Sequence, residues 1–202
     1  MIAVFSEYRS FVEKLGYVLL RPEETMLKMH KEEGILEGLF VTFVFTFSLG
    51  VLLGSWMAKL LLLLFPSVGI YALSVPVFSG LLLFVAAAVF WAVTSLISHV
   101  AAKTLFNGRG SFASVLRLTS YSFVPLFLAV LGLLLLEISG LLLFVSILLF
   151  AACFFLMVNL ASTAVAVAHE IEYSKALFCV VIAPLTLVCL LLTLILLLGG
   201  IA

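Results

Sequence analysis

The sequence contains no aspartate: all ten of its acidic residues are glutamate. That excludes an aspartyl intramembrane protease, which needs paired aspartates. Charge of either sign is scarce. Only 10% of the 202 residues are charged, against about 25% in soluble domains. Ten basic residues balance the ten acids, so the formal net charge is zero and a nucleic-acid partner has no electrostatic footprint to meet. Cysteine is limited to Cys153, Cys179 and Cys189, all inside apolar runs. An odd number without regular spacing argues against a disulfide framework or a zinc knuckle, and these residues read as small buried hydrophobes. There is no GxSxG elbow and no Walker loop. A cleavable leader is not expected, because the first thirty residues are charged and lack an apolar core ending in small residues.

What is present is apolar. Hydrophobic residues make up 66% of the chain, with mean hydropathy +1.43. This composition calls for lipid as solvent. Crossing hydrocarbon takes about 20 apolar residues as helix. On that rule the sequence predicts an all-α polytopic membrane protein with five transmembrane helices. The spans are read at about 36–57 (with extension to 64), 74–102, 114–136, 141–168 and 175–198. The expected division is 1–34 as cytoplasmic interfacial helices, 35–198 as the membrane domain and 199–202 as a short external tail. No connection between spans is long enough for a soluble catalytic domain.

Residues 1–20 predict an amphipathic helix. Val4, Phe5, Tyr8, Phe11, Val12, Leu15 and Leu19 recur at three- and four-residue steps, with Glu7, Arg9, Ser10, Glu13 and Lys14 opposite. Such a helix either lies in the headgroup region or packs on the end of the bundle. Arg21-Pro22 breaks it. Pro22 suits the first turn of a second short helix, to about residue 33, and Glu23 and Glu24 complement its N-terminal dipole. Orientation follows from the cations. With the N-terminus inside, nine basic residues fall on the cytoplasmic side and only Lys59 outside, so the positive-inside rule places the N-terminus in and the C-terminus out.

The stretch from Gly108 to Pro125 stands apart from the surrounding Leu, Val, Phe and Ala. Gly108 and Gly110 flank Arg109 in a turn, Ser111 is placed to cap the next helix, and Pro125 and, in the fifth span, Pro184 are expected to kink their helices. Polar side chains concentrate in the cytoplasmic half: Ser95, Ser98 and His99 in the second span, Thr119, Ser120, Tyr121 and Ser122 in the third, and Asn159, Ser162, Thr163 and His169 in the fourth. Polar groups in lipid turn inward. These therefore either hydrogen-bond between helices or line a cavity open to the cytoplasm. His30, His99, His169, Glu170 and Glu172 share that rim but lack metal-ligand spacing, so no metal or other cofactor is expected. Arg117 either snorkels to the headgroups or pairs with Glu37. Gly50 and Gly54 form a GxxxG that permits close helix approach; Ala161, Ala164 and Ala168 form a small-residue stripe.

On these residues the chain resembles the Yip family, the Ypt-interacting-protein-one type of membrane domain, in its prokaryotic branch, over roughly 18–198. The resemblance rests on Leu20-Arg21-Pro22, on Gly108-Arg109-Gly110-Ser111-Phe112, on Ser120-Tyr121-Ser122-Phe123-Val124-Pro125 and on Ser174-Lys175-Ala176. It implies five spans, N-terminus in, and no catalytic residues. Eukaryotic members associate with Rab-type GTPases and with each other in vesicle traffic. Their Asp-Leu-Tyr-Gly-Pro motif is missing here, so GTPase binding does not carry over. The leading expectation is a non-enzymatic organiser of membrane partners or lipid in the cell membrane, acting alone, as a homo-oligomer or with other membrane proteins. The alternatives are a small transporter or channel using the polar residues, and a lipid-acting enzyme using His99 or His169.

Overall fold

The computed structural model describes residues 11–30, 35–139 and 142–199. Its elements are helices: α1 (Phe11–Leu20), α2 (Pro22–His30), α3 (Leu36–Leu64), a short α4 (Gly69–Ala72), α5 (Val75–Phe106), α6 (Phe112–Ser120), α7 (Leu126–Ile138), α8 (Leu143–His169) and α9 (Tyr173–Gly199). Single 3-10 turns at Pro66–Val68 and Tyr121–Phe123 join neighbours. Among the described residues four stretches are long and apolar enough to cross a membrane: Leu36–Leu64, Gly69–Phe106, Phe112–Ile138 and Leu143–His169. In α9 the apolar stretch Tyr173–Thr186 is shorter than a span. The first ten residues of the expected N-terminal helix, residues 31–34 after α2, residues 140–141 at the hairpin and 200–202 of the tail lie outside the described residues.

The helices α3, α5, α9, α8 and α7 follow one another round the bundle, and α7 closes back on α3. Inside that ring sits α6, which touches α3, α5 and α8. Its sequence explains the position. Val115, Leu118, Thr119 and Ser120 are buried, and burial continues unbroken through Tyr121, Ser122, Phe123, Val124 and Pro125.

Pro125 does more than bend the third span. A proline has no N–H to give to the carbonyl four residues back, here Tyr121. The chain tightens instead, and the Val124 N–H donates to the Tyr121 carbonyl at 3.1 Å. The span becomes two helices, α6 and α7, joined by the 3-10 turn. Pro184, by contrast, lies within an α9 that runs on past it.

The longest helix, α5, has 32 residues, about 48 Å at 1.5 Å per residue. It outruns a hydrocarbon core of about 30 Å. Its C-terminal turns thus carry Ser98, His99 and Lys103 towards the end of the bundle where α6 and α9 begin and α8 finishes.

The described N-terminal helices pack on that same end. Val18, Met26 and Met29 are fully buried there, and α2 lies against α6 and α8. Of the two arrangements expected for the first helix, its described half adopts packing on the bundle. Apolar residues on its other side, Val12 at 74% and Leu20 at 81%, remain exposed.

Candidate functional site

The hydroxyls expected to face one another resolve into separate small contacts. The best defined lies between α5 and α6. The Thr119 hydroxyl donates to its own helix at the Val115 carbonyl, 2.8 Å away. Its single proton is thereby used, and its oxygen accepts from the Trp91 indole N–H at 3.0 Å. Ser95 Oγ is 2.8 Å from the same oxygen and must be the donor. Thr119 therefore fills one donor and two acceptor positions, the full capacity of a hydroxyl. Trp91 is buried. The sequence signal for this contact is its indole N–H, one helical turn before Ser95 on the same face.

The remaining polar residues divide as follows. Ser98 on α5 donates to the Cys179 carbonyl of α9 at 3.2 Å. Ser120 donates back to the Arg117 carbonyl at 2.6 Å and sits where a side chain on Gly38 of α3 would collide with it, at 2.5 Å. Tyr121 and Ser122 are buried in the 3-10 turn. Ser162 and Thr163 are buried but donate to carbonyls of their own helix, Val158 at 2.8 Å and Asn159 at 2.9 Å. Asn159 itself does not join the interior group. It is exposed on α8 and accepts from the Tyr173 hydroxyl at 2.9 Å. Ser146 was not anticipated. It is fully buried and ties α8 to α7 through the Gly132 carbonyl at 2.9 Å. Glycine opposite serine was the only sign of it in the sequence.

The Gly108–Ser111 turn has a definite partner, the C-terminus of α8. The Arg109 N–H donates to the His169 carbonyl at 3.2 Å, and the Gly110 N–H donates to Nδ1 of the His169 ring at 3.2 Å. A Cβ on Gly108 would lie 2.5 Å from that nitrogen, and one on Gly110 would overlap the Ala168 carbonyl. Both glycines are required for the turn to lie this close. Ser111 caps α6 as expected, accepting from the Ser114 N–H at 3.2 Å. Ser74, just before α5, makes no such cap; its hydroxyl donates to the Tyr71 carbonyl at 2.8 Å. His169, 1% exposed, also meets His99 of α5: Nδ1 of His99 is 3.1 Å from Nε2 of His169. His30 is elsewhere, bonded to the Ser114 hydroxyl at 2.7 Å. Among the described residues no group of three or more His, Cys or Glu could hold a metal.

Arg117 neither snorkels nor takes Glu37. It is 7% exposed and donates to the Met29 carbonyl, in the last turn of α2. A cation there meets the negative end of the α2 dipole. Glu37 is held instead by Lys14 of α1, at 2.9 and 3.0 Å to its two oxygens. The physical reason is coverage: α1 and α2 lie over this end and supply both the competing cation and the carbonyl. Pro22 begins α2 as expected, and Lys175 in the first turn of α9 pairs with Glu172 at 3.2 Å.

No curated protein and no solved structure matches the chain. The family model described as the Yip1 domain matches residues 16–196, a stretch that takes in α2, the Gly108–Pro125 segment and the beginning of α9, and this membrane protein belongs to the Yip1 domain family.

Proposed function

We propose that this chain is a non-enzymatic organiser of membrane lipids and membrane-protein partners, with five spans, a cytoplasmic N-terminus and an external C-terminus. The observation that carries the reading is the saturated Thr119 hydroxyl: both its lone pairs and its proton are used within the protein. A transport path or a catalytic site needs polar groups with capacity left for a substrate. Ser98 and Ser146 likewise spend their hydroxyls on joining helices.

The interfacial role of the N-terminal helices follows from their outer side. Leu20, 81% exposed, precedes the exposed Arg21, which pairs with Glu24, and Leu27, 50% exposed, precedes the exposed Lys28. An apolar surface bordered by cations suits the headgroup boundary of an anionic leaflet. Partners are other membrane proteins or further copies of the chain.

Reconstitution tests this. Proteoliposomes should show no ion flux above empty vesicles, and crosslinking in native membranes should trap the chain with membrane-protein neighbours. Flux that is lost in Ser95→Ala would overturn the organiser in favour of a transporter. Crosslinks that never form, with lipid composition and vesicle shape unaltered by the protein, would leave it nothing to organise and would equally refute it.

A further inference from the structure

His99 and His169 stand 70 residues apart in sequence. Their rings meet between α5 and α8, with centroids 4.9 Å apart and planes tilted by 39°. A backbone amide fixes the direction of this contact. The Gly110 N–H can only donate, so Nδ1 of His169 carries a lone pair and, in the neutral ring, the proton is on Nε2. That Nε2–H points at Nδ1 of His99, which must therefore accept, leaving the His99 proton on its own Nε2. The result is a one-way chain: Gly110 N–H to His169, His169 to His99.

This chain has no room for another proton. A proton added to His169 would occupy Nδ1 and face the Gly110 N–H. One added to His99 would occupy its Nδ1 and face the His169 N–H. Either event sets hydrogen against hydrogen and breaks a bond. The surrounding groups do not relieve the conflict. Lys103, one turn along α5, presents its positive charge to both rings. The turn contributes Arg109, α6 contributes the edge of Phe112 at 5.8 Å from His99, and α2 contributes His30, bonded to Ser114. The turn after α8 contributes Glu170 and Glu172, both exposed, with Glu172 paired to Lys175 of α9.

We propose that the His99–His169 pair is a proton-operated latch. With both rings neutral it ties α5 to α8 and clasps the Gly108–Gly110 turn onto the end of α8. Proton uptake by either ring releases the clasp and frees the turn that leads into the central helix α6. This goes beyond the organiser role and stands whether or not that reading survives.

The test uses the full-length protein in lipid nanodiscs. Nitrogen-15 spectra of labelled histidine report the tautomers, and hydrogen exchange reports the Gly110 amide. Near pH 8 His169 should show a bare Nδ1 and a protonated Nε2. Acidifying stepwise to about pH 4, until the spectra show the rings protonated, should cut Gly110 protection about tenfold or more, after correction for intrinsic exchange. The loss should track ring protonation. In the double variant His99→Gln with His169→Gln, in which neither side chain can take a proton, Gly110 protection should be independent of pH. A proton on Nδ1 of His169 near pH 8, or constant Gly110 protection while the rings titrate, overturns the latch. So does a pH dependence that persists in the folded double variant. The spectra of the unaltered protein decide the matter even where that variant fails to fold.

Discussion

Gly50 of α3 and Gly80 of α5 meet backbone to backbone: a methyl group built on Gly50 would lie 2.7 Å from the Gly80 Cα and 2.8 Å from the Ser79 carbonyl oxygen. One turn on, Gly54 meets the Pro76 Cα, also at 2.7 Å. At Gly50 the two nearest atoms belong to the main chain, which cannot rotate aside as a side chain can.

Gly50→Leu should therefore separate α3 from α5 and destabilise the fold by about 1–3 kcal/mol, the usual cost of overpacking. Gly16→Leu, at a glycine with open space around it, serves as the control and should cost far less. Melting temperatures in one detergent compare the two. Equal melting of the Gly50 variant and the native protein would show that the two helices do not pack this closely.

The GxxxG was legible because small residues at four-residue spacing mark a close contact, although Gly80, its partner, has no motif of its own. Helix positions were legible for the same kind of reason, since a run of about 20 apolar residues carries its own length signal. The central place of α6 was partly legible, from the hydroxyls of Thr119 and Ser120 in an apolar run. What could not be read was pairing. Arg117 and Glu37 were a reasonable couple by position in their spans. The competitor, Lys14, comes from a helix whose docking depends on tertiary shape. Likewise Asn159 lies one turn before Ser162 and Thr163 on nearly the same face of α8, yet it is exposed where they are covered.

The Lys14–Glu37 pair should hold the N-terminal helices in place. Lys14 is 5% exposed, and its ammonium lies 5.8 Å from the centre of the Tyr121 ring. Lys14→Met should loosen α1 and cost about 1.5–3 kcal/mol, the range for a hydrogen bond to a charged group. Limited proteolysis reads the effect as faster cleavage before residue 30. The double exchange Lys14→Glu with Glu37→Lys should recover part of the resistance, whereas Arg117→Glu with Glu37→Arg should not. Rescue by the second pair and not the first would reassign the partner of Glu37.

Thr119→Val keeps the shape of the side chain and removes its oxygen. The Trp91 N–H and the Ser95 hydroxyl then lose their acceptor in a dry interior, which costs about 1–3 kcal/mol for an unsatisfied group. Thr119→Ser should restore most of the stability. The sequence has two tryptophans, so in a Trp56→Phe background the emission of Trp91 reports the contact directly. Emission left unchanged by Thr119→Val would mean that the indole N–H is not bonded there.

Sidedness is open to direct measurement because the charged residues separate by end. Lys14, Arg117 and Lys175 lie at the end of the bundle on which α1 and α2 pack and from which α6 and α9 set out, together with Arg21, Lys28, Lys103 and Arg109. The opposite end holds Lys59, which pairs with Glu137 at the end of α7. Short-loop cations are retained on the cytoplasmic side, so that first end is expected inside. In a background lacking Cys153, Cys179 and Cys189, Ser67→Cys places a thiol in the exposed turn after α3, and Glu172→Cys places one after α8. An impermeant maleimide should label Ser67→Cys on intact cells and Glu172→Cys only after permeabilisation. The exposed Lys59–Glu137 pair contributes little stability, about 0–1 kcal/mol, so Lys59→Gln should leave both patterns unchanged. Labelling of Glu172→Cys on intact cells would invert the orientation and place the His99–His169 contact on the external face, where it would meet the pH of the surroundings instead of the cytoplasm.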